Sequence, residues 1–514
     1  MTGNATQVIK GAFALSVGQT DMPAPKGWEW YALKDVARLE SGHTPSRNVA
    51  TYWGGNVPWI GIPDARKHHG ATIYDTQTKT TQLGLENSSA RLLPARTVCL
   101  SRTASVGYAT VMGRSMATSQ DFVNWVCDER FLDPYFLQKI FIAEGPNLHR
   151  FGKGSTHTTI YFSEVKRFYV CLPPLEEQRR IVERLDGLSQ TTDRISSTLE
   201  DMQHLLERFR QSVLASAFRG DLTSEWREQN PDVEPASELL KRIRVERKRL
   251  WIEDYARKLA DRARASAQKK NKAFTDEDWQ SYYDKKLKAG ESKYEEPEPV
   301  DAEAEGLPEL PPTWEWVRLD VLGAVGTGAT PKRGEAKFWY NGNIPWVTST
   351  VVNEPVVTEP NDHVTDYALA NTNLTLYPPG TILIAMYGEG KTRGKATILG
   401  IEACTNQALA AISLYKDEYV FRRFVLNALK DNYATMRRAA SGGVQPNLST
   451  SLVKEIRIPL APLEEQEVLV ASLASYFERM GVVQSSYLSA KSDLERLHKS
   501  VLASAFAHDG AEVP

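Results

Sequence analysis

Cysteine is scarce in this chain of 514 residues: the four thiols, Cys99, Cys127, Cys171 and Cys404, include no Cys-x-x-Cys pair. That spacing excludes a disulfide scaffold and a ribbon- or finger-type zinc site, and leaves buried reduced thiols as the expected state. An excess of one charge is also missing. Sixty-two Lys and Arg stand against 64 Asp and Glu, for a formal charge of -2, so any polyanion-binding surface must be local. No run of about 18 apolar residues exists, and the first 20 residues lack the charged, apolar, small-residue order of a secretory leader. A cytoplasmic location is expected. With 41% hydrophobic and 25% charged residues, the chain has the profile of a folded, water-soluble protein. Its length calls for three or more structural units at roughly 100 to 200 residues each.

What the chain does contain is a long internal repeat. Trp28-Glu29-Trp30 recurs as Trp314-Glu315-Trp316, Thr44-Pro45 as Thr330-Pro331 and Trp53 as Trp339, all at one offset. Asn56-Val57-Pro58-Trp59 matches Asn343-Ile344-Pro345-Trp346, and Gly107-Tyr108-Ala109-Thr110 matches Gly394-Lys395-Ala396-Thr397 one residue later. Leu172 to Gln178 (LPPLEEQ) matches Leu460 to Gln466 (LAPLEEQ), and the heptapeptide SVLASAF ends both series at Ser212–Phe218 and Ser500–Phe506. An ordered series of this kind means two copies of one unit, each a globular part followed by a helical part, with a period far too long for a solenoid.

Within each globular part, runs such as Thr97 to Ser101, Thr381 to Ala385 and Glu455 to Ile458 read as strands, while Asp133 to Ala143 and Glu418 to Leu429 read as helices. The helical parts carry a heptad pattern. Ile181, Leu185, Leu188, Thr192, Ile195, Leu199, Met202, Leu206, Phe209 and Val213 alternate spacings of four and three. Leu469, Leu473, Tyr476, Met480, Val483, Tyr487, Ala490, Leu494, Leu497 and Val501 repeat them. Glu176-Glu177 and Glu464-Glu465 stand where a helix dipole favours carboxylates. A single long helix cannot bury such a stripe alone, so antiparallel pairing of the two is expected, with the globular parts at opposite ends of a spacer.

The resulting α+β architecture divides as follows: an N-terminal tail (1–27), a first globular domain (28–175) and a central long helix (176–218). A charged insertion (219–313), a second globular domain (314–463), a C-terminal long helix (464–507) and a short tail (508–514) complete it. The insertion changes sign along its length. Lys241 to Lys272 carries 13 basic against four acidic residues, and Asp276 to Glu305 carries 11 acidic against four basic. These blocks imply a solvated helix followed by a flexible acidic connector, with Glu295 to Pro312 expected to be disordered.

Catalytic motifs are weak. Gly388-Glu389-Gly390-Lys391-Thr392 satisfies a relaxed phosphate-loop pattern and supports an alternative reading as an ATPase built on Gly390-Lys391-Thr392. However, the strand-like Lys395 to Leu399 follows where a phosphate loop requires a helix N-terminus. Neither Asp133-Pro134-Tyr135-Phe136 nor Leu172-Pro173-Pro174-Leu175 fits an amine-methylating loop. His68-His69 and His157 lack further ligands for a metal. Recognition remains, and the globular parts have slight basic excesses: 16 against 12 in Trp28 to Leu175, and 15 against 13 in Trp314 to Leu463. Polar residues in loops at corresponding places give the candidate DNA contacts: Arg66, Lys67, Arg102, Ser105 and His157 in the first copy, Lys391, Arg393, Gln445 and Asn447 in the second.

The order Trp-Glu-Trp, Thr-Pro, Asn-x-Pro-Trp and Pro-Leu-Glu-Glu-Gln leading a heptad helix, twice over, resembles the specificity subunit of type I restriction-modification enzymes. Ala217-Phe218-Arg219-Gly220-Asp221-Leu222-Thr223 and Trp226-Arg227 add to the likeness. The resemblance implies two target recognition domains, each reading half of a split asymmetric DNA sequence, with the helices setting the gap. It implies no catalytic centre and no cofactor in this chain. Two modification subunits would use S-adenosylmethionine to methylate adenine, and restriction subunits would use ATP and Mg to translocate and cut. The insertion is longer than the resemblance explains.

Overall fold

The computed structural model describes residues 8–103, 105–152, 158–388, 392–416, 418–439 and 447–506. They form two units: one comprising residues 1–202 and 485–514, the other residues 203–484. The architecture is α+β, with the same mixed sheet built in each.

In the first unit a five-stranded sheet runs in the order Ala37–Ser41, Phe122–Cys127, Val98–Ser101, Ala109–Met112, Thr72–Ile73. In the second the order is Gly323–Thr327, Leu409–Leu414, Ile382–Ala385, Ala396–Leu399, Val356–Val357. Corresponding strands occupy corresponding places, and the last strand pairs parallel to its neighbour in both. The central strands are apolar and buried on both faces, since helices and loops cover them on each side. Pro134–Glu144 lies against this sheet. Its N-terminus is defined by the Asp133 side chain, which accepts from the amides of Tyr135 at 2.9 Å and Phe136 at 3.3 Å, and by proline at the first helical position. Tyr419–Asp431 is the counterpart in the second unit.

The expected tail at 1–27 contains structure. Ile9–Lys10 and Leu15–Val17 form a hairpin that extends the strand Phe168–Leu172, and the Glu144 carboxylate accepts the amides of Ala12 and Phe13, each at 2.8 Å. Phe13, Leu15 and Val17 join the core. The segment is too short and irregular for periodicity to reveal it.

The long helices are Leu175–Phe218 and Leu463–Phe506. The first turns of the central helix, through Ile181, Val182 and Leu185, share the core of the first unit with Val501, Leu502 and Phe506 from the end of the C-terminal helix. In the second unit the partnership is reversed: Val213, Leu214, Ala217 and Phe218 join Leu469 and Leu473. Each unit therefore holds the two helices in antiparallel order. The heptad stripe is split lengthwise. Of one row, Leu185, Leu199 and Val213 are buried, as are Leu473 and Tyr487 in the second copy. In the other row Leu188, Ile195 and Phe209 are exposed, and so are Tyr476, Val483 and Leu497, whereas Leu469, which opens that row, is buried in the core of the second unit. Two paired helices can cover one row of each seam and leave the other facing outward. Among the described residues no helix is long and apolar enough to cross a membrane.

The insertion departs from the expected connector. Ala236–Lys269 and Asp276–Glu291 are both helices and pack as a hairpin. The acidic block opens its helix with a capping box: the Asp278 amide donates to Thr275 Oγ1 at 3.1 Å, and the Thr275 amide to Asp278 Oδ2 at 2.9 Å. Three carboxylates in the first turn are thus helix-stabilising. Glu295 to Pro312 has no regular structure yet is tethered along its length. Glu296 pairs with Arg244, Glu305 with Arg457 at 2.6 Å, and the Pro308 carbonyl accepts from the Trp316 indole. Its charges meet partners supplied by other segments, which composition does not reveal.

Candidate nucleic-acid interface

In each unit, one edge of the five-stranded sheet collects the loops that carry polar residues. In the first unit these are the segment leaving Ala37–Ser41, the segment entering Phe122–Cys127, and the connection between Val98–Ser101 and Ala109–Met112. Gly42 begins the first of them. A side chain here would lie 1.9 Å from the Ser119 carbonyl oxygen, so glycine lets the two segments touch. The His43 amide donates to the Thr118 carbonyl at 2.9 Å, and Thr44 Oγ1 donates to Gln120 Oε1. Arg47 then folds back over two indoles, its Cζ 5.4 Å from the Trp53 ring and 5.5 Å from Trp59. The indoles meet edge to face at 5.2 Å. Their N–H groups donate to loop carbonyls: Trp53 to Ser46 and Trp59 to His43, both at 3.1 Å.

The second unit repeats this arrangement with the same residue types at the same places. A side chain at Gly328 would meet the Thr405 carbonyl at 1.7 Å, and Thr330 Oγ1 donates to Gln407 Oε1 at 2.5 Å. Arg333 lies over Trp339 at 3.8 Å and Trp346 at 4.9 Å, and the two indoles are 5.2 Å apart. The Trp339 indole donates to Lys332 and that of Trp346 to Ala329. Arg333 additionally pairs with Asp362, which holds that carboxyl below its ordinary range. Arg47 has no ion pair among the described residues.

Three of the residues expected from the sequence gather at this edge in the first unit. Arg102 donates to the Gln120 carbonyl at 3.1 Å, and its Nε is buried with no hydrogen-bond partner. Burial lowers its pKa, against the opposing pull of Asp121. Ser105 lies in the same connection, its carbonyl accepting from Ser101 Oγ at 2.5 Å. Arg66 reaches it from the helix Ile62–Lys67, donating from Nε to the Tyr108 hydroxyl at 3.2 Å. That helix is oriented by the buried Asp64 carboxylate, which accepts the amides of Gly61 and Gln77. Lys67 is exposed at the helix end and makes no ion pair among the described residues.

In the second unit Arg393, expected as a base or phosphate contact, is 6% exposed and turned inward by the chain that follows Thr392, so it does not stand at the surface with the other candidates. Asn447 is exposed beside Leu448, whose amide donates to Met386 as Ile160 donates to Arg102. By that correspondence Arg102 matches Met386, and the two copies present different side chains there. His157, Lys391 and Gln445 lie outside the described residues. Residues that sequence reasoning passed over are Arg47, Gln120, Arg333 and Gln407. The arginines stand three residues after the matched threonines, a signal present in the repeat but not read as a site.

The phosphate-loop alternative fails on geometry. The Gly394 amide donates to Ala385 at 2.8 Å and the Lys395 amide to Thr392 at 2.9 Å, after which Ala396–Leu399 is a strand. No helix N-terminus follows Thr392 to hold phosphates.

Residues 25–201 and 311–482 match the model of the type I restriction modification DNA specificity domain. The specificity subunit of the type I restriction enzyme MjaIX from Methanocaldococcus jannaschii is 23% identical over 463 residues, 89% of each chain. That of EcoKI from Escherichia coli K12 is 39% identical over 88 residues, 16% of this chain and 19% of its own. Among solved structures, the HsdS subunit of Thermoanaerobacter tengcongensis shares the fold with a TM-score of 0.52 at 18% identity, over 95% of this chain and 99% of its own. A chain from a study of assembly and conformational transition in the type I R-M system gives a TM-score of 0.64 at 18% identity, over 95% and 100%. This chain belongs to the type I restriction modification DNA specificity family.

Proposed function

We propose that the two globular domains of this specificity subunit read the two halves of a split, asymmetric DNA target. The observation that carries this reading is one sheet edge built twice with unlike contents. The framework of Gly, Thr, Arg, Trp and Gln is the same in both units, whereas Arg102 is replaced by Met386 and Asp121 by Ala408. Identical frames suit the same task, and unlike side chains suit different half-sites. Two weakly discriminating contacts held by one molecule combine into a long address, because the second binds at a high effective concentration.

In this reading the chain supplies recognition and its partners supply chemistry. Modification subunits with S-adenosylmethionine methylate adenine, and restriction subunits with ATP and Mg translocate and cut. The exposed seam row, Leu188 and Ile195 in the first unit and Phe209, Tyr476 and Val483 in the second, offers apolar surface for the modification subunits. Methylation mapping of cells with and without the gene tests the proposal. One bipartite adenine motif should vanish on deletion, and exchanging residues 28–175 for those of a relative should change one half of it only. Loss of no motif, or an exchange that altered both halves, would overturn the reading.

A further inference from the structure

The duplicated Arg–Trp–Trp and Thr–Gln assemblies have a function that sequence discrimination does not explain. A group that distinguishes one half-site from the other must differ between the domains. Arg47 and Arg333, with Gln120 and Gln407, do not differ, although their neighbours do: His43 stands against Ala329, Ser46 against Lys332 and Asp121 against Ala408. All four are exposed. A chemical set repeated this closely at an otherwise altered edge is suited to something common to both halves of the target.

The chemistry presented there is hydrogen-bond donation. Contact of a guanidinium with an indole ring uses none of its five N–H groups. The amide oxygens of Gln120 and Gln407 both accept from threonine hydroxyls, and the Nε2 donors of these exposed residues have no partner among the described residues. The loop cannot drift from the glutamine, because Gly42 and Gly328 hold the backbones in contact. We infer that each assembly is a preorganised phosphate clamp, Arg47 with Gln120 and Arg333 with Gln407, that grips the DNA backbone beside its half-site whatever the bases. Phosphate contacts of this kind set register and orientation, which the neighbouring variable side chains need in order to read base edges. The two clamps are unequal at rest: Arg47 is unpaired with any carboxylate among the described residues, whereas Asp362 occupies Arg333.

This inference rests on the DNA-reading proposal, and one titration separates the two. The full chain, assembled with its modification subunits, is titrated with matching and non-matching duplexes over a range of salt concentrations. Wild type should prefer the matching duplex; failure to do so sinks the reading itself. Arg47→Ala should weaken both duplexes by the same factor and reduce the slope of log affinity against log salt by about 1, with the methylated motif unchanged. Arg47→Lys should retain most of the slope. Asp362→Asn, which frees Arg333, should tighten non-matching DNA. Where Arg47→Ala fails to fold, Arg47→Gln keeps a planar group on the indoles and gives the same readout. The inference is overturned by an unchanged slope, by a changed motif, which would make Arg47 a base reader, or by a defect confined to assembly with the modification subunits.

Discussion

Phe136 and Phe506 meet with ring centroids 5.5 Å apart in the first unit, although one belongs to the first sequence copy and the other ends the second. Phe218 and Phe424 make the reciprocal contact in the second unit at 5.4 Å. The identical SVLASAF segments therefore exchange: each copy's helix ends on the globular domain of the other. A duplicated sequence achieves this when the helices run antiparallel, and the aromatic contact ties the last described turn of each helix to that domain.

Phe506 is 1% exposed, and truncating it removes a large ring from a closed core. Phe506→Ala should destabilise the first unit by about 3–5 kcal/mol. Hydrogen exchange is the discriminating measurement. Amides of Phe168–Leu172 should lose protection while those of Arg457–Leu460 keep it, and Phe218→Ala should give the opposite pattern.

A second prediction concerns Glu465, a fully buried carboxylate in the first turn of the C-terminal helix. It accepts from Thr223 Oγ1 at 2.5 Å, from the Trp314 indole at 2.8 Å and from the Arg227 guanidinium. Removing the arginine leaves a charge in the core without its counter-ion, a change that costs about 3–5 kcal/mol elsewhere. Arg227→Ala should lower the urea midpoint of the second unit accordingly. Adding Glu465→Gln should recover part of the loss, because the neutral amide needs no counter-charge. Equal midpoints for the single and double variants would show that the charge is irrelevant.

Glu144 gives the first unit a pH dependence. Burial pushes its carboxyl up to about 7, outweighing the backbone amides that favour the charged form. The folded state therefore holds a proton that the unfolded state has released. Its contribution to stability is complete below the ordinary carboxyl value of about 4.5 and is lost as pH rises through 7. Thermal melts of the wild type should show stability falling across this window. Glu144→Gln, which has no proton to lose, should flatten that component even if it lowers the melting temperature throughout. A slope identical in the two proteins would remove Glu144 as the cause.

The parts legible in the sequence were those carried by repetition or by long periods. Offsets of 286 to 288 residues disclosed the two domains, and spacings of four and three disclosed both long helices. The same spacing could not say that the row with Leu188 and Ile195 would face outward, because exposure depends on how many partners share the seam. Short segments were harder: the hairpin of Ile9–Lys10 and Leu15–Val17 is secured by Glu144, more than 120 residues away. At the candidate site, Arg66, Arg102 and Ser105 converge because a β connection and a helix end meet there. Arg47 was missed because its role depends on two indoles that the sequence presented only as matching positions of the repeat. The inward turn of Arg393 was not legible, because nothing local distinguishes an arginine turned inward from one turned out.

The helices' place in the proposed mechanism yields a last prediction. If they set the distance between two readers, their length must be written in the target. Four residues added to both helices at matching positions extend each by one turn, about 6 Å. At 3.4 Å per base step this amounts to roughly one to two base pairs. The added turn preserves the phase of the buried row closely, because four residues nearly complete a 3.6-residue turn. The end contacts, Phe506 on Phe136 and Phe218 on Phe424, need not change. Methylation mapping of the lengthened protein should therefore show both half-sites intact and a gap longer by one or two unspecified bases. Altered half-sites with an unchanged gap would mean that the helices bear on reading itself, and that spacing is determined elsewhere.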